Sequence, residues 1–284
     1  MAKTNYTIRL KWLGNALNKI RKETGLTIEE VGERLRWPQS KISRIENGMI
    51  RAHWGDIQDL LDLYDFQDPD QRKALIALAK SARERGWWHA YGANLKPTFA
   101  DLLSLEGIAH EISVYEAQVV HGLLQTRAYA LAITGASRVW QDRDEIEKFV
   151  EVRTARQIVL KKEQPVDLWV ILSEAALRQQ VGGPSVMKEQ LIHLLDIADL
   201  PNVTLQVLPF TAGASTGMYG PFHILRFPGP GVTEVVYLEN LTGGLYLDQT
   251  EEIDRYKVAF DHLRASALPT KASLELIADI AKET

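Results

Sequence analysis

Apolar residues in the first part of the chain recur with the spacing of α-helices. Four of them follow the i, i+3, i+4, i+7 pattern of one helical face: Leu13, Ala16, Leu17 and Ile20. Gly25 follows this segment, and glycine readily adopts the left-handed backbone conformation that ends helices. The pattern therefore predicts a first helix that stops just before residue 25.

A second helix is predicted directly after this stop, because its first residues can cap it. Thr27 can accept a hydrogen bond from the backbone of Glu30 while the Glu30 carboxylate reaches back to residue 27, which is a capping box. Leu26 and Val31 bracket the cap as an apolar pair. Gly32, inside this helix, leaves room for a third helix to cross closely.

The third helix is predicted from about Gln39 to Asn47, after a turn at residues 36–38. Ile42 and Ile45 face inward, and polar residues occupy the outward positions: Gln39, Ser40, Ser43 and Arg44. Glutamine can pair with adenine and arginine with guanine in a major groove that is wide enough to admit a helix. This arrangement favours a helix-turn-helix that docks on duplex DNA. A solvated polar face, or a helical hairpin that docks on protein, is the alternative.

The segment G-L-T-x-E-E-V, followed by S-K-I-S-R-I-E-N-G, resembles the XRE-type, lambda-repressor-like helix-turn-helix family. The resemblance implies base contacts by Gln39, Ser40 and Arg44. It also implies contacts to the DNA backbone near four residues: Thr27, Lys41, Ser43 and Arg51. Pro38 departs from the family, which usually has a capping Ser or Thr there. Its fixed φ suits a helix start, but the side-chain cap is lost.

Arg21 and Glu46 fall where the resembled family forms an ion pair between its first and third helices. Each directly follows an apolar residue, Ile20 before Arg21 and Ile45 before Glu46. We therefore predict that they are paired and at least partly shielded from water. Two independent solvated charges are the alternative.

The charge distribution supports DNA contact by this end of the chain. Residues 1–51 carry eleven Lys and Arg against five Asp and Glu, whereas the 284-residue chain has a formal net charge of −4. Such a basic segment suits a polyanionic partner. Six residues could form a rim that faces phosphates: Lys3, Arg9, Lys11, Lys19, Arg21 and Lys22. Taken singly, each is equally well explained as a solvated side chain.

Two more helical patterns, at 54–64 and 69–85, complete a predicted five-helix head. The aromatic, glycine-punctuated stretch at 86–92 is then the predicted junction, with Trp87 and Trp88 packed at an interface rather than forming a ligand cage. This divides the chain into a helix-turn-helix DNA-binding domain, 1–85, and an effector or partner-interaction domain, 86–284.

The second domain has helical patterns first and strand patterns later. Helices are predicted near 98–112, 125–134, 142–160, 185–200, 250–266 and 270–282, and strands at 166–172, 203–208, 222–227, 235–238 and 245–247. A helix separates the first two strands, so these should be parallel, whereas the later strands are close enough for antiparallel hairpins. The predicted fold class is multidomain: an all-α five-helix head followed by an α+β domain with a mixed sheet.

The second domain resembles the C-terminal domain of WhiJ-like actinobacterial, antitoxin-like transcriptional regulators. The resemblance is carried by G-W-W at 86–88, Y-E-A-Q at 115–118, G-L-L-Q-T at 122–126, E-A-A-L at 174–177, G-G-P at 182–184, L-P-N-V-T-L-Q-V-L-P-F at 200–210 and G-P-F at 220–222. It implies transcriptional regulation, often beside a small partner protein. The alternative function is thus an antitoxin-like protein that binds a small partner and regulates its own operon. A helix end with Arg153, Arg156, Lys161 and Lys162 could contact an acidic partner, or could be a solvated face.

Residues 213–217 read G-A-S-T-G, which matches the G-x-S-x-G motif of hydrolases, and Asp248 and His262 follow in hydrolase order. A nucleophile elbow needs a helix after this turn, whereas residues 221–225 favour a strand. We therefore expect no enzyme. The glycine-rich loop at 211–220 is more plausibly a lid or a partner-binding surface.

No metal or cofactor is expected, because the chain has no cysteine and its seven histidines show no metal-ligand spacing. No signal peptide or long apolar run is seen, so a cytoplasmic protein without membrane contact is expected. Together these features predict a sequence-specific transcriptional regulator, most simply a homodimer on an inverted repeat of double-stranded DNA. A small acidic protein is the candidate second partner.

Overall fold

The computed structural model describes residues 8–83, 87–92, 95–137, 142–228 and 233–284. The chain forms two compact units, the first made of residues 1–86 and 228–233 and the second of residues 87–227 and 234–284. In the described ranges, no helix is both long and apolar enough to cross a membrane.

The first unit consists of five helices, as predicted, and we refer to it as the head. They are α1 (Ile8–Glu23), α2 (Ile28–Leu35), α3 (Gln39–Glu46), α4 (Trp54–Leu63) and α5 (Pro69–Arg83). The predicted apolar stripe of α1 is buried at Leu13, Leu17 and Ile20. These side chains share one core with Val31 of α2 and Ile42 of α3, so burial of apolar surface fixes the three helices against one another.

Two glycines allow α1 to approach the end of α3 closely. A Cβ on Gly14 would clash with the backbone oxygen of Glu46 and lie 2.7 Å from that of Ile45. Gly48, just after α3, has a φ of +66°, and a Cβ there would lie 2.8 Å from the backbone nitrogen of Lys11. The two segments are thus packed backbone to backbone, which sets the position of α3.

Substituting Gly14→Ala is expected to destabilise the head, because the added methyl group meets rigid backbone rather than a movable side chain. Overpacking of this kind typically costs about 1–3 kcal/mol, which urea unfolding would measure. Gly135→Ala is the matched control, since Gly135 is also helical and a Cβ there meets no atom within 4 Å. The control should be neutral or stabilising by up to about 1 kcal/mol. Equal effects at both sites would rule out the close contact.

The second unit combines seven helices and six strands among its described residues. The helices are α6 (Pro97–Ile108), α7 (Arg127–Ala136), α8 (Arg143–Ala155), α9 (Glu174–Arg178), α10 (Pro184–Ile197), α11 (Thr250–Ser266) and α12 (Thr270–Glu283). The strands are β1 (Glu111–Glu116), β2 (Asp167–Ser173), β3 (Val203–Leu208), β4 (Phe222–Arg226), β5 (Glu234–Asn240) and β6 (Gly243–Leu247).

The strands form one mixed sheet in the order β3-β2-β1-β4-β5-β6. β1, β2 and β3 are parallel, and β4, β5 and β6 continue the sheet as antiparallel neighbours. The prediction of a mixed sheet is confirmed, including the parallel β2–β3 pair and the antiparallel hairpins. Helix α11 covers one face, where Tyr115, Phe222 and Phe260 pack together.

Strand β1, which lies inside the sheet, was not predicted, and this is the main correction to the fold. The predicted helix at 98–112 ends at Ile108, and β1 begins three residues later at Glu111. The sequence of β1 is E-I-S-V-Y-E, in which only Glu111 is not fully buried. Its polar residues break the continuous apolar run that a strand covered on both faces usually shows, so the pattern concealed it.

Candidate nucleic-acid interface

The predicted helix-turn-helix is formed by α2, a tight turn and α3. The capping box is present, because Glu30 N–H donates to Thr27 Oγ1 at 3.2 Å and Thr27 N–H donates to Glu30 Oε2 at 2.8 Å. After α2, Arg36 adopts a left-handed backbone with a φ of +56°, and Trp37 N–H donates to Gly32 O at 2.9 Å. A Cβ on Gly32 would lie only 2.9 Å from Trp37 O. A residue with a side chain at position 32 would therefore widen this turn.

Helix α3 presents a polar face that carries the predicted base-contacting residues. It begins after Pro38, whose φ is −59° and which provides no side-chain cap, as predicted. Gln39, Ser40 and Arg44 are exposed, while Ile42 and Ile45 are buried in the core. Within the described part of the chain, the side chains of Gln39, Ser40 and Arg44 make no hydrogen bond or ion pair. They are therefore available to an external partner.

Lys41, one of the four candidate backbone-contacting residues, is engaged within the head. Its Nζ lies 2.8 Å from Asp56 Oδ1 and 3.5 Å from the centre of the Trp37 ring. Lys41 would have to exchange Asp56 for a phosphate, or share the ammonium group between them. Thr27 and Arg51 are exposed.

Ser43, the fourth candidate, is half-buried. Asn47 Nδ2 donates hydrogen bonds to the backbone oxygen of Ser43 at 2.7 Å and to Ser43 Oγ at 3.3 Å. Its hydroxyl proton is left for an acceptor outside this pair. All four residues stay candidates for DNA backbone contact.

Arg21 and Glu46 form a bidentate ion pair beneath the end of α3. Arg21 Nε lies 2.7 Å from Glu46 Oε1, and Nη2 lies 2.8 Å from Oε2. Asn18 Nδ2 donates a further hydrogen bond to Glu46 Oε2 at 2.6 Å, and Arg21 Nη1 donates to Leu26 O at 2.8 Å. The side chains are 9% and 2% exposed, so the pair is shielded from water.

The charge of this pair affects neighbouring titratable groups. The hydrogen bond with Glu46 raises the pKa of Arg21, so its guanidinium stays protonated. Tyr64 is buried nearby, and burial, reinforced by the Glu46 charge, raises its pKa. The phenol of Tyr64 therefore remains neutral beside the ionised side chains of Arg21 and Glu46.

The predicted basic rim is smaller than the sequence suggested. Lys11, Lys19 and Lys22 are exposed. Arg9 is buried and Arg21 belongs to the ion pair, so neither is on the surface. Lys3 lies outside the described residues. Placing Arg9 and Arg21 on the rim was wrong, because the turn of helix α1 directs some of its basic residues toward the core on which it packs.

The basic cluster predicted in the second unit is not a common surface. Arg156 is only 3% exposed, with its Nη1 3.4 Å from Glu106 Oε1. Lys161 is exposed, and Lys162 Nζ donates to Gly107 O at 2.9 Å. Both interpretations offered for the cluster assumed exposed arginines, whereas Arg156 is buried and Arg153 is half-buried. Glu106 supplies the charge that makes burial of Arg156 tolerable.

Other features singled out in the sequence fall in loops and turns. Residues 213–217 lie between β3 and β4 and run into a single 3-10 turn, Thr216–Tyr219. The strand β4 then follows at Phe222, as predicted, and no α-helix of the kind that a nucleophile elbow requires lies between the two strands. Trp88 is buried and Trp87 is 38% exposed, with ring centres 6.0 Å apart in an edge-to-face arrangement. Gly86, also part of the predicted junction, lies outside the described residues.

Sequence reasoning missed one group of polar residues in the second unit. Glu116, His121 and His223 lie together although more than 100 residues separate His223 from the other two. No local spacing could reveal this cluster, because the pairing of β1 with β4 creates it.

Comparison with known protein families gives two matches. A family model described as a helix-turn-helix domain matches residues 12–75, and the model of a domain of unknown function, DUF5753, matches residues 99–279. No curated protein and no solved structure matches the chain. The helix-turn-helix match indicates a DNA-binding regulator.

Proposed function

This chain belongs to the DUF5753 family, and we propose that, through its helix-turn-helix head, it acts as a sequence-specific transcriptional regulator that reads DNA with α3. The observation that carries the proposal is the outward face of α3. Gln39, Ser40 and Arg44 are exposed and have no side-chain partner among the described residues. Three unengaged polar side chains on a rigidly held helix match what recognition of base edges requires.

In the proposed complex, α3 lies in the major groove. Arg44 pairs with guanine, Gln39 with adenine, and Ser40 with either base. Thr27, Lys41, Ser43 and Arg51 contact the phosphates and fix the register of the protein on the duplex, without reading the sequence themselves. The exposed lysines of α1 add a salt-dependent attraction that is common to all sequences.

The proposal is tested by selection of DNA fragments. The purified 284-residue chain is mixed with fragmented genomic DNA, and the retained fragments are sequenced. We expect one shared motif to be enriched, and we expect the enrichment to vanish when Gln39 and Arg44 are both replaced by Ala. Retention of all fragments alike would contradict sequence-specific regulation and leave only non-specific binding.

The retained sites are expected to be inverted repeats. A dimer places its two recognition helices on half-sites whose centres are about one DNA turn, or a multiple of it, apart. Footprinting measures the protected length, and light scattering measures the mass of the protein at the same concentration. A footprint over a single half-site together with a monomeric mass would show that the homodimer is wrong.

At a finer level we place the head in the XRE type and the whole chain among WhiJ-like regulators, on the motifs given above. A regulator of this kind works where the chromosome lies, so we propose a cytoplasmic location. It needs no catalytic activity and no cofactor to read DNA, and we propose neither for the head.

Partner binding in the antitoxin-like manner is the second candidate function. It is favoured by the loop between β3 and β4, where Phe210, Met218 and Tyr219 are 60%, 73% and 97% exposed. Apolar side chains gathered at such a loop suit a protein contact. The test is to co-purify the protein with the product of the neighbouring reading frame, a small acidic protein by this hypothesis. Tyr219→Ser should weaken that association, and no association at all would remove this candidate.

A further inference from the structure

The second unit contains a buried cluster of potential metal ligands that the DNA-binding proposal does not use. Glu116 ends β1, His121 lies in the loop that follows, and His223 is near the start of β4. The three residues are 7%, 1% and 4% exposed. One ligand atom from each lies within 4.8 Å of the other two, and His223 Nε2 is 3.4 Å from Glu116 Oε1.

The cluster occupies a favourable place in the sheet. The chain places β2 and then β3 on one side of β1, and it places β4 on the other side. The direction in which successive strands are added to the sheet therefore changes between β1 and β4. In open α/β sheets, ligands bind beyond the carboxyl ends of the parallel strands at such a point. Because β4 is antiparallel to β1, the beginning of β4 lies at this same edge.

Strand alternation turns both strand residues to the same side. Tyr115 and Phe222 are direct partners across β1 and β4, and both point to the face that packs under α11. Successive residues of a strand face opposite sides. Glu116 and His223 therefore point to the other face.

His121 supplies an independent indication that a ligand belongs here. Although it is almost fully buried, neither of its ring nitrogens has a hydrogen-bond partner in the described part of the chain. Leaving both unsatisfied is unfavourable, and such a group calls for a specific explanation. An unprotonated imidazole nitrogen without a hydrogen-bond partner is a potential metal ligand.

We propose that Glu116, His121 and His223 bind a divalent transition-metal ion, with zinc as the best match. Two imidazoles and one carboxylate are a common zinc ligand set, with a fourth position open to another ligand. In a tetrahedral site with bonds of about 2.0–2.1 Å to zinc, the ligand atoms are closer to one another than the separations of up to 4.8 Å between the ligand atoms of this cluster. Small rotations of the side chains would complete the geometry.

The surroundings define how the charge of the ion is balanced. A cavity of about 270 Å³ adjoins the cluster and is also lined by Arg153 and Arg156. The positive charges of the two arginines disfavour binding of a metal ion nearby. Glu106 offsets the charge of Arg156, with which it is paired, and Glu116 contributes a negative charge as a ligand. Because the arginines line the same cavity as the three ligands, a fourth ligand bound in that cavity should be an anion.

The experiment uses the untagged 284-residue chain, stripped of metal by a chelator and then titrated with zinc chloride. Calorimetry should show one site per chain, and cobalt chloride should give the visible absorption of a tetrahedral site. Loss of a residue that merely orients a metal ligand lowers affinity about 10- to 100-fold. Glu116→Gln, His121→Gln and His223→Gln should each lower it at least that much. His262→Gln, at an exposed histidine on α11, is the control and should bind as the unaltered protein does.

Three outcomes would overturn the site. They are no saturable binding of zinc, the same zinc affinity in all four variants, or a second zinc per chain while the ligand substitutions leave binding of the first zinc unaffected. If the variants do not fold, the unaltered protein decides, because a ligand that binds only the folded state raises the melting temperature as its concentration exceeds its dissociation constant. No rise with zinc would refute the proposal. A rise with inorganic phosphate and none with zinc would instead assign the cavity to an anion held by Arg153 and Arg156. None of these readouts depends on DNA binding.

Discussion

Arg21→Met is expected to lower the free energy of unfolding by about 3–5 kcal/mol, the usual effect of breaking a buried ion pair. Among the described residues, the substitution leaves the Glu46 carboxylate, which is 2% exposed, with Asn18 as its one side-chain partner. A buried charge without its counter-ion carries most of its desolvation penalty. The loss should exceed that at an exposed pair, where the effect is below about 1 kcal/mol.

A double-mutant cycle separates the pair from the packing of its members. Arg21→Met, Glu46→Leu and the double variant are unfolded in urea, and the interaction energy is the departure from additivity. Lys282→Met serves as the control, because Lys282 and Asp279 form an ion pair that is 76% and 65% exposed. Additive effects within about 0.5 kcal/mol would mean that Arg21 and Glu46 stabilise the head independently.

Arg44→Ala is expected to weaken binding to the preferred DNA site by about 1–3 kcal/mol, the value of a bidentate pair with guanine. Arg44 is exposed and has no side-chain partner in the described structure, so its removal should leave the stability of the head nearly unchanged. One base position of the site should become degenerate. Binding to a panel of single-base variants of the site measures both effects.

Arg44→Lys is the sharper control, because it keeps the charge and loses the planar, forked donor group. It should retain non-specific affinity and its dependence on salt, yet lose discrimination at the same base position as Arg44→Ala. If Lys restored full discrimination, Arg44 would be acting as a simple phosphate contact, and the proposed base readout by this residue would be wrong.

The head could be predicted from sequence because its determinants are local. The capping box at Thr27, the stop at Gly25 and the apolar stripe beginning at Leu13 each involve residues within two turns of helix. What the sequence did not reveal is the closeness of α1 and α3 at Gly14. A glycine in a helix is compatible with close contact or with open space, as Gly14 and Gly135 show.

The second unit was harder to predict because its determinants are distant in sequence. Five strands followed the expected apolar patterns, but β1 carries Glu and Ser inside the sheet. Its residue Glu116 meets His223 only after β1 pairs with β4. Arg156 gave the opposite error: a basic helix end suggested a surface, whereas Gly122 leaves its guanidinium space in the interior.

The way α3 is fixed has a consequence for the evolution of operator specificity. Its position depends on Gly14, on the buried isoleucines and on Glu46, none of which lies on the outward face. Residues 39, 40 and 44 can therefore change without a matching change in the core. Under the proposed readout, related chains would be free to diverge in the DNA sequence they recognise while the same scaffold is preserved, and exchanging these three positions should transfer specificity between them.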